Sequence, residues 1–300
     1  MVTQETSGLP EAPGAPANKA QALRALLRGP SPVRAVGAHD GLSAKLVQQA
    51  GFEAVWASSF EISASHGLPD ASLVTMTQYL DAATAMDAVT DVPVIADCDT
   101  GFGGPMNVAY AVKRYARIGI AAMCIEDKLF PKINSFAADG QDLLPAEDFA
   151  LKIKTGKEAQ PDPDMLLIAR TEALIAGAGM EEALDRGRLY AAAGADAVLV
   201  HSKSRRPDEV LEFASRWDVD VPLVAVPTTY DSVTEDELYQ AGYRVVIYAN
   251  QGLRAAVRGA QEVLRELNTA GNARAVGERI APMSEVFALQ GMPSDYRTKP

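Results

Sequence analysis

The sequence predicts an α/β protein of the TIM type, a (β/α)8 barrel. Three observations lead there: eight short apolar runs, helical segments between them, and a glycine-containing element that recurs where helix passes into strand. The runs are Arg34–Gly37, Ala54–Ala57, Val94–Asp97, Met123–Glu126, Leu166–Arg170, Ala197–His201, Leu223–Val226 and Val245–Tyr248. Each is rich in Val, Ile, Leu or Ala and lacks polar alternation, the pattern of parallel strands buried on both faces.

Between them, Leu42–Gln49, Tyr79–Val89, Met106–Arg117, Ala146–Glu158 and Glu181–Ala193 carry apolar residues at helical spacing. Ala50-Gly51, Ile118-Gly119, Ala193-Gly194 and Ala241-Gly242 stand at the junctions. Glycine there accepts the left-handed turn that sends the chain back into the next strand. Composition does not break along residues 19–300, so one closed barrel is expected rather than a two-domain open sheet. Beyond the eighth unit a helix runs to about Asn268, and a second near Ser284–Gln290 is expected to be exchanged between subunits. Met1–Asn18, rich in Pro, Gly, Ala and Thr, reads as a flexible leader without the apolar core of a signal peptide.

Bulk properties exclude some partners. The 300 residues are 48% apolar, enough for a large core, and carry a net charge of −11 with no basic run. That balance argues against nucleic acid or an anionic membrane as partner. Cys98 and Cys124, the two cysteines, lie within apolar segments and make no disulfide framework, so a cytoplasmic protein is expected.

A barrel of this kind assembles its site at the C-terminal ends of the strands. The polar residues gather there: Trp56-Ala57-Ser58-Ser59, Asp97-Cys98-Asp99, Glu126-Asp127-Lys128, Arg170-Thr171-Glu172 and His201. Carboxylates from Asp97, Asp99 and Glu126 on neighbouring strand ends are hard oxygen donors suited to Mg²⁺. A competing reading makes Asp99 or Asp127 a helix cap. Arg170 and His201 suit an anionic substrate group; the alternatives are an ion pair of Arg170 with Glu172 or Glu126, and a core histidine. Trp56 fills either the barrel or a pocket wall. The long loop Lys128–Leu144, with Lys132, Asn134 and Ser135, is either a lid over the mouth or an ordinary solvated loop. Cys98 and Cys124 read as buried filler, and neither His39 nor His66 is assigned a role.

These segments resemble the isocitrate lyase/phosphoenolpyruvate mutase superfamily, and within it the mutase pattern, from about Lys19 to Leu289. The most specific element is Glu126-Asp127-Lys128-Leu129-Phe130-Pro131-Lys132-Ile133-Asn134-Ser135, which matches E-D-K-x5-N-S. Asp97-Cys98-Asp99-Thr100-Gly101-Phe102-Gly103, Ile168-Ala169-Arg170-Thr171-Glu172-Ala173 and Ile247-Tyr248-Ala249-Asn250 support it. The resemblance implies interconversion of phosphoenolpyruvate and phosphonopyruvate in a homodimer or homotetramer. It implies Asp97 as the direct Mg²⁺ ligand, with Asp99 and Glu126 holding the surrounding waters and Asp70 close to metal and substrate. It places Ser58, Ser59 and Phe60 on the substrate's carboxylate and enolate oxygen, with Trp56 as a wall. Arg170 and His201 then hold the phosphoryl group while Lys132, Asn134 and Ser135 close over it. Ser59 departs from the pattern, which has Gly there. The main rival is a phosphonopyruvate hydrolase, whose pattern carries a hydroxyl residue where this chain has Asn134. A lyase of the 2-methylisocitrate type requires a lid cysteine that this loop lacks, and a barrel that binds a ligand without turnover is the remaining reading.

Overall fold

A computed structural model describes residues 18–137 and 141–292. Eight parallel strands close on one another in sequence order. They are β1 (Val33–Ala38), β2 (Ala54–Ala57), β3 (Val94–Asp97), β4 (Ala122–Glu126), β5 (Leu166–Thr171), β6 (Ala197–Val200), β7 (Leu223–Ala225) and β8 (Tyr243–Tyr248), and β8 returns to pair with β1. Each expected strand is present to within a residue or two at its ends. All of β2, β3, β4, β6 and β7 is buried, as uninterrupted Val, Ile, Leu and Ala demand when helices cover the outer face.

The helices contain elements that periodicity did not single out. Before β1, α1 (Lys19–Leu27) lies across the N-terminal end of the barrel. Lys19 Nζ bonds the carbonyls of Asp87 and Thr90, each at 2.7 Å, and Arg24 bonds Asp164 O and the Asp196 carboxylate. After β1 comes α2 (Gly41–Gln49), and after β2 a short α3 (Ser59–Ser65) precedes α4 (Met76–Asp87). The expected start at Tyr79 was late because Thr75 and Gln78 form a capping box that opens α4 earlier. Further on stand α5 (Pro105–Arg117), α6 (Ala146–Ala159), α7 (Met180–Ala192), α8 (Asp208–Ser215), α9 (Glu235–Ala241), α10 (Gln251–Ala270) and α11 (Met283–Leu289). No residue of α10 is buried, and Val257 and Leu264 stand 48% and 64% exposed. The leader reading of Met1–Asn18 falls, apart from Asn18 itself, outside the described residues. No described helix is long and apolar enough to cross a membrane.

Two details aim the site. The chain leaves β3 through a tight turn in which Asp99, Gly101, Phe102 and Gly103 all have positive φ. A side chain at Gly101 would meet Val108 at 2.6 Å, so this turn requires glycine both for its φ and for its contact. Lys152 reaches from α6 to bond Thr100 O at 3.0 Å and ties the turn down. At the barrel seam Gly37 lies against the end of β8. A Cβ there would fall 2.3 Å from Ala249 O and 2.4 Å from Glu61 Oε1.

The Glu61 carboxylate can turn aside, but the Ala249 carbonyl cannot retreat without moving the backbone after β8. Gly37→Ala is therefore expected to destabilise the fold by about 1–3 kcal/mol, read as a lower urea midpoint. An unchanged midpoint would contradict this close approach.

Candidate active site

Strand alternation decides which polar residues reach the mouth. Glu126 and Arg170 are register partners on β4 and β5, and Glu172 follows Arg170 by two, so it returns to the same side. Asp127, one residue beyond Glu126, turns the other way. It is fully buried and accepts bonds from Tyr190 OH at 2.7 Å, Glu172 N at 2.8 Å and Arg186 Nη1 at 3.1 Å. It anchors β4, β5 and α7 behind the site. Burial raises its pKa, offset by those hydrogen bonds and by Arg186.

At the mouth, Asp97, Asp99 and Glu126 are all buried. Lys132 from the loop after β4 enters this group, its Nζ 2.6 Å from Asp70 Oδ1 and 3.0 Å from Asp99 Oδ1. Burial alone would discharge this ammonium, but Asp99, Glu126, Asp70 and Asp97 together hold its pKa well above the ordinary lysine value. Burial conversely raises the pKa of Asp97, and pushes Asp99 up to about 6 despite the opposing pull of Lys132. Asp97 Oδ2 accepts the Ser59 hydroxyl at 2.7 Å and, more distantly, the Ser59 N–H at 3.3 Å. The Ser58 hydroxyl instead caps α3 through Glu61 N at 3.2 Å.

The loop is drawn down over the mouth. Asn134 Nδ2 donates to Asp70 Oδ2 at 2.7 Å, Asn134 N bonds Asp70 O at 3.0 Å, and Lys132 N bonds Ser72 Oγ at 3.0 Å. Its base is tied by Leu129 N to Asp142 O and Leu144 N to Asp127 O. These bonds bury Lys132 and Ser135 at the mouth, while Phe130, Ile133 and Phe136 of the same loop stay exposed.

Glu172 is the residue the sequence reading undervalued, having considered it only as a rival partner for Arg170. Its Oε1 accepts from Arg170 Nε and lies 2.8 Å from His201 Nδ1. Its Oε2 accepts the Ser135 hydroxyl at 2.6 Å and sits 3.3 Å from Lys128 Nζ. Lys128 in turn donates to Ser135 Oγ at 2.7 Å. One buried carboxylate thus holds the Arg170/His201 pair and the lid serine together. The signal was available in the spacing Arg170-x-Glu172, which in a strand puts both side chains on one face. Burial would raise the Glu172 pKa, but Arg170, His201 and Lys128 hold it well below the ordinary value. Burial and Arg170 depress the His201 pKa, against the opposing pull of Glu172. Its Nδ1 is also 2.8 Å from Arg170 Nη2, and with Nδ1 committed inward Nε2 is the nitrogen left for a ligand.

These groups enclose a cavity of about 230 Å³. Every residue expected at the substrate end lines it: Trp56, Ser58, Ser59, Phe60, Asp70, Asp97, Lys132, Asn134, Ser135, Arg170 and His201. Phe136, Val226, Thr228, Ala249 and Asn250 complete the wall, and Phe136 meets the His201 ring edge-on. Asp99 and Glu126 lie beneath the lining. The volume suits a small acid carrying one further anionic group.

Among the described residues no three His, Cys, Asp or Glu side chains are gathered closely enough to ligate one ion directly. Asp99 Oδ1 and Glu126 Oε1 are nevertheless buried without a hydrogen bond; the Lys132 contact to Asp99 Oδ1 is close but poorly aligned. An all-oxygen set in which one carboxylate binds and others stand behind water is the arrangement Mg²⁺ favours, so the residues fit that ion.

The phosphoenolpyruvate phosphomutase family profile matches residues 23–268. A phosphonopyruvate hydrolase from Variovorax sp. (strain Pal2) is 44% identical over 275 residues, covering 91% of this chain and 95% of the relative. The crystal structure of a phosphoenolpyruvate phosphomutase from Streptomyces platensis subsp. rosaceus superposes with a TM-score of 0.90 at 50% identity, covering 91% and 95% of the two chains. That of a phosphonopyruvate hydrolase in complex with oxalate and Mg²⁺ gives 0.86 at 43% identity, with the same coverage.

Because the folded pKa of Glu172 lies below its ordinary value of 4.5, its stabilising effect is present above that pH and lost as pH falls through the folded value. Glu172→Gln leaves buried cations without their counter-charge, at a cost of about 3–5 kcal/mol near neutrality. Denaturation at a series of pH values should show the gap between wild type and variant shrinking below pH 4.5; a gap independent of pH would refute this charge assignment.

Proposed function

The chain belongs to the phosphoenolpyruvate mutase/isocitrate lyase superfamily, and from that premise we propose that it is a Mg²⁺-dependent phosphoenolpyruvate mutase. The C–P bond of phosphonopyruvate breaks, and the phosphoryl group passes to the C2 oxygen of the resulting pyruvate enolate, giving phosphoenolpyruvate. Transfer through a loose, metaphosphate-like state requires little covalent help and depends on positioning and charge. Arg170 and His201, held by Glu172, orient the phosphoryl oxygens. Trp56 supports the flat face of the enolate, while the backbone N–H of Phe60 serves the carboxylate. Asp97, with Asp99 and Glu126 behind it, would hold Mg²⁺, which when bound would supply Lewis-acid stabilisation of negative charge on the enolate oxygen. Lys132, Asn134 and Ser135 keep water from the phosphoryl group.

The observation that carries mutase over hydrolase is the Asn134–Asp70 bond of 2.7 Å. The carboxamide seals the lid to the loop after β2 and offers no hydroxyl beside the transferred group. Phosphonopyruvate hydrolase is the second reading, favoured by the 44% identity to a protein of that name. The exposed apolar residues of α10, Val257 and Leu264, support assembly as a homodimer or homotetramer with exchange of the C-terminal helix.

Incubation with phosphonopyruvate and Mg²⁺, followed by ³¹P NMR, distinguishes the readings. A phosphoenolpyruvate resonance is expected; inorganic phosphate with pyruvate would make the protein a hydrolase. Asn134→Ala should lower mutase turnover by at least about 10-fold, the scale of a lost positioning group, and unimpaired turnover would remove Asn134 from the account. Asp97→Ala should abolish Mg²⁺-dependent turnover while leaving the melting temperature close to that of wild type; retained turnover contradicts the assignment of Asp97.

A further inference from the structure

Ser59 stands where the family pattern has glycine, and its hydroxyl does not point at the substrate space. It donates to Asp97 Oδ2 at 2.7 Å, both groups being buried. Among the described residues, Asp97 Oδ2 otherwise has only the Ser59 N–H at 3.3 Å, and Oδ1 has only Asp99 N at 3.4 Å. Both remaining contacts are long for N–H···O bonds. The terminal torsion of an aspartate is broad and two-fold, so two such contacts do little to fix the plane of the carboxylate. The hydroxyl is the one short bond that does so.

We propose that the Ser59 hydroxyl is a positioning group for divalent-cation binding: it clamps Oδ2 and leaves Oδ1 as the oxygen presented to the ion. The proposal rests on the reading of Asp97 as a metal ligand and adds a residue to it. In a chain with glycine at this position, the carboxylate must be oriented by the ion or by other groups. Here it is oriented beforehand, and the ion does not bear the cost of ordering it. Ligating carboxylates generally depend on such partners, whose removal weakens metal affinity by about 10–100-fold.

The test is Mn²⁺ binding to the full-length protein without substrate, followed by the electron paramagnetic resonance signal of the free ion and by Mg²⁺ competition. Wild type, Ser59→Ala, Ser59→Gly and Asp97→Ala are compared, with melting temperatures recorded for each. Ser59→Ala keeps Cβ and removes only the hydroxyl, so it and Ser59→Gly should both bind at least about 10-fold more weakly. Asp97→Ala should show no binding at this site. Wild-type affinity in Ser59→Ala overturns the proposal even where Ser59→Gly is weakened, since backbone freedom then accounts for the loss. Absence of competable Mn²⁺ binding in wild type, or its persistence in Asp97→Ala, overturns the metal reading itself.

Discussion

Negative charge crowded at the mouth of the barrel is the constraint on which the rest of the site depends. Asp70, Asp97, Asp99 and Glu126 converge where water is scarce, and carboxylates so placed repel unless cations enter among them. Lys132 answers this for Asp70 and Asp99, and Arg170 answers it for Glu126 at 3.3 Å. The first cation comes from the lid and the second from the floor. Seating this loop on the mouth is therefore coupled to neutralising the floor.

Glu172 extends the same logic. Arg170 and Lys128 crowd into one buried volume beside the His201 ring, and a single carboxylate between them turns repulsion into a fixed constellation. Its bond with Ser135 makes the lid part of that constellation. A charge network with every member paired can be rigid, and rigidity is what the proposed phosphoryl clamp requires. Asp127 repeats the device one layer out, where Tyr190 and Arg186 of α7 lock the back of β4.

Much of the fold was legible because fully buried strands write themselves as continuous apolar runs, and because glycines mark the helix ends. Less legible was whatever depends on contacts between distant segments. The α1 helix is fixed by Lys19 and Arg24 reaching carbonyls far along the chain. The short α3 has its cap in Ser58, a residue the resemblance assigned to substrate. In the site, residue types at strand ends named carboxylates that the fold gathers at one mouth, but direction separated Glu126 from Asp127 and promoted Glu172. Direction follows from the period of two, so that part was readable in principle. The Ser59 hydroxyl was not: only the geometry of the β2–α3 turn shows that it bonds Asp97.

The central claim is that the lid, latched through Asp70, allows the phosphoryl group to move within the pocket without meeting water. Turnover of phosphonopyruvate in ¹⁸O-labelled water with Mg²⁺ tests it most directly, with the products read by mass spectrometry. The account predicts phosphoenolpyruvate free of ¹⁸O at the non-bridging phosphoryl oxygens, and no labelled inorganic phosphate. Labelled inorganic phosphate released in step with pyruvate would contradict it.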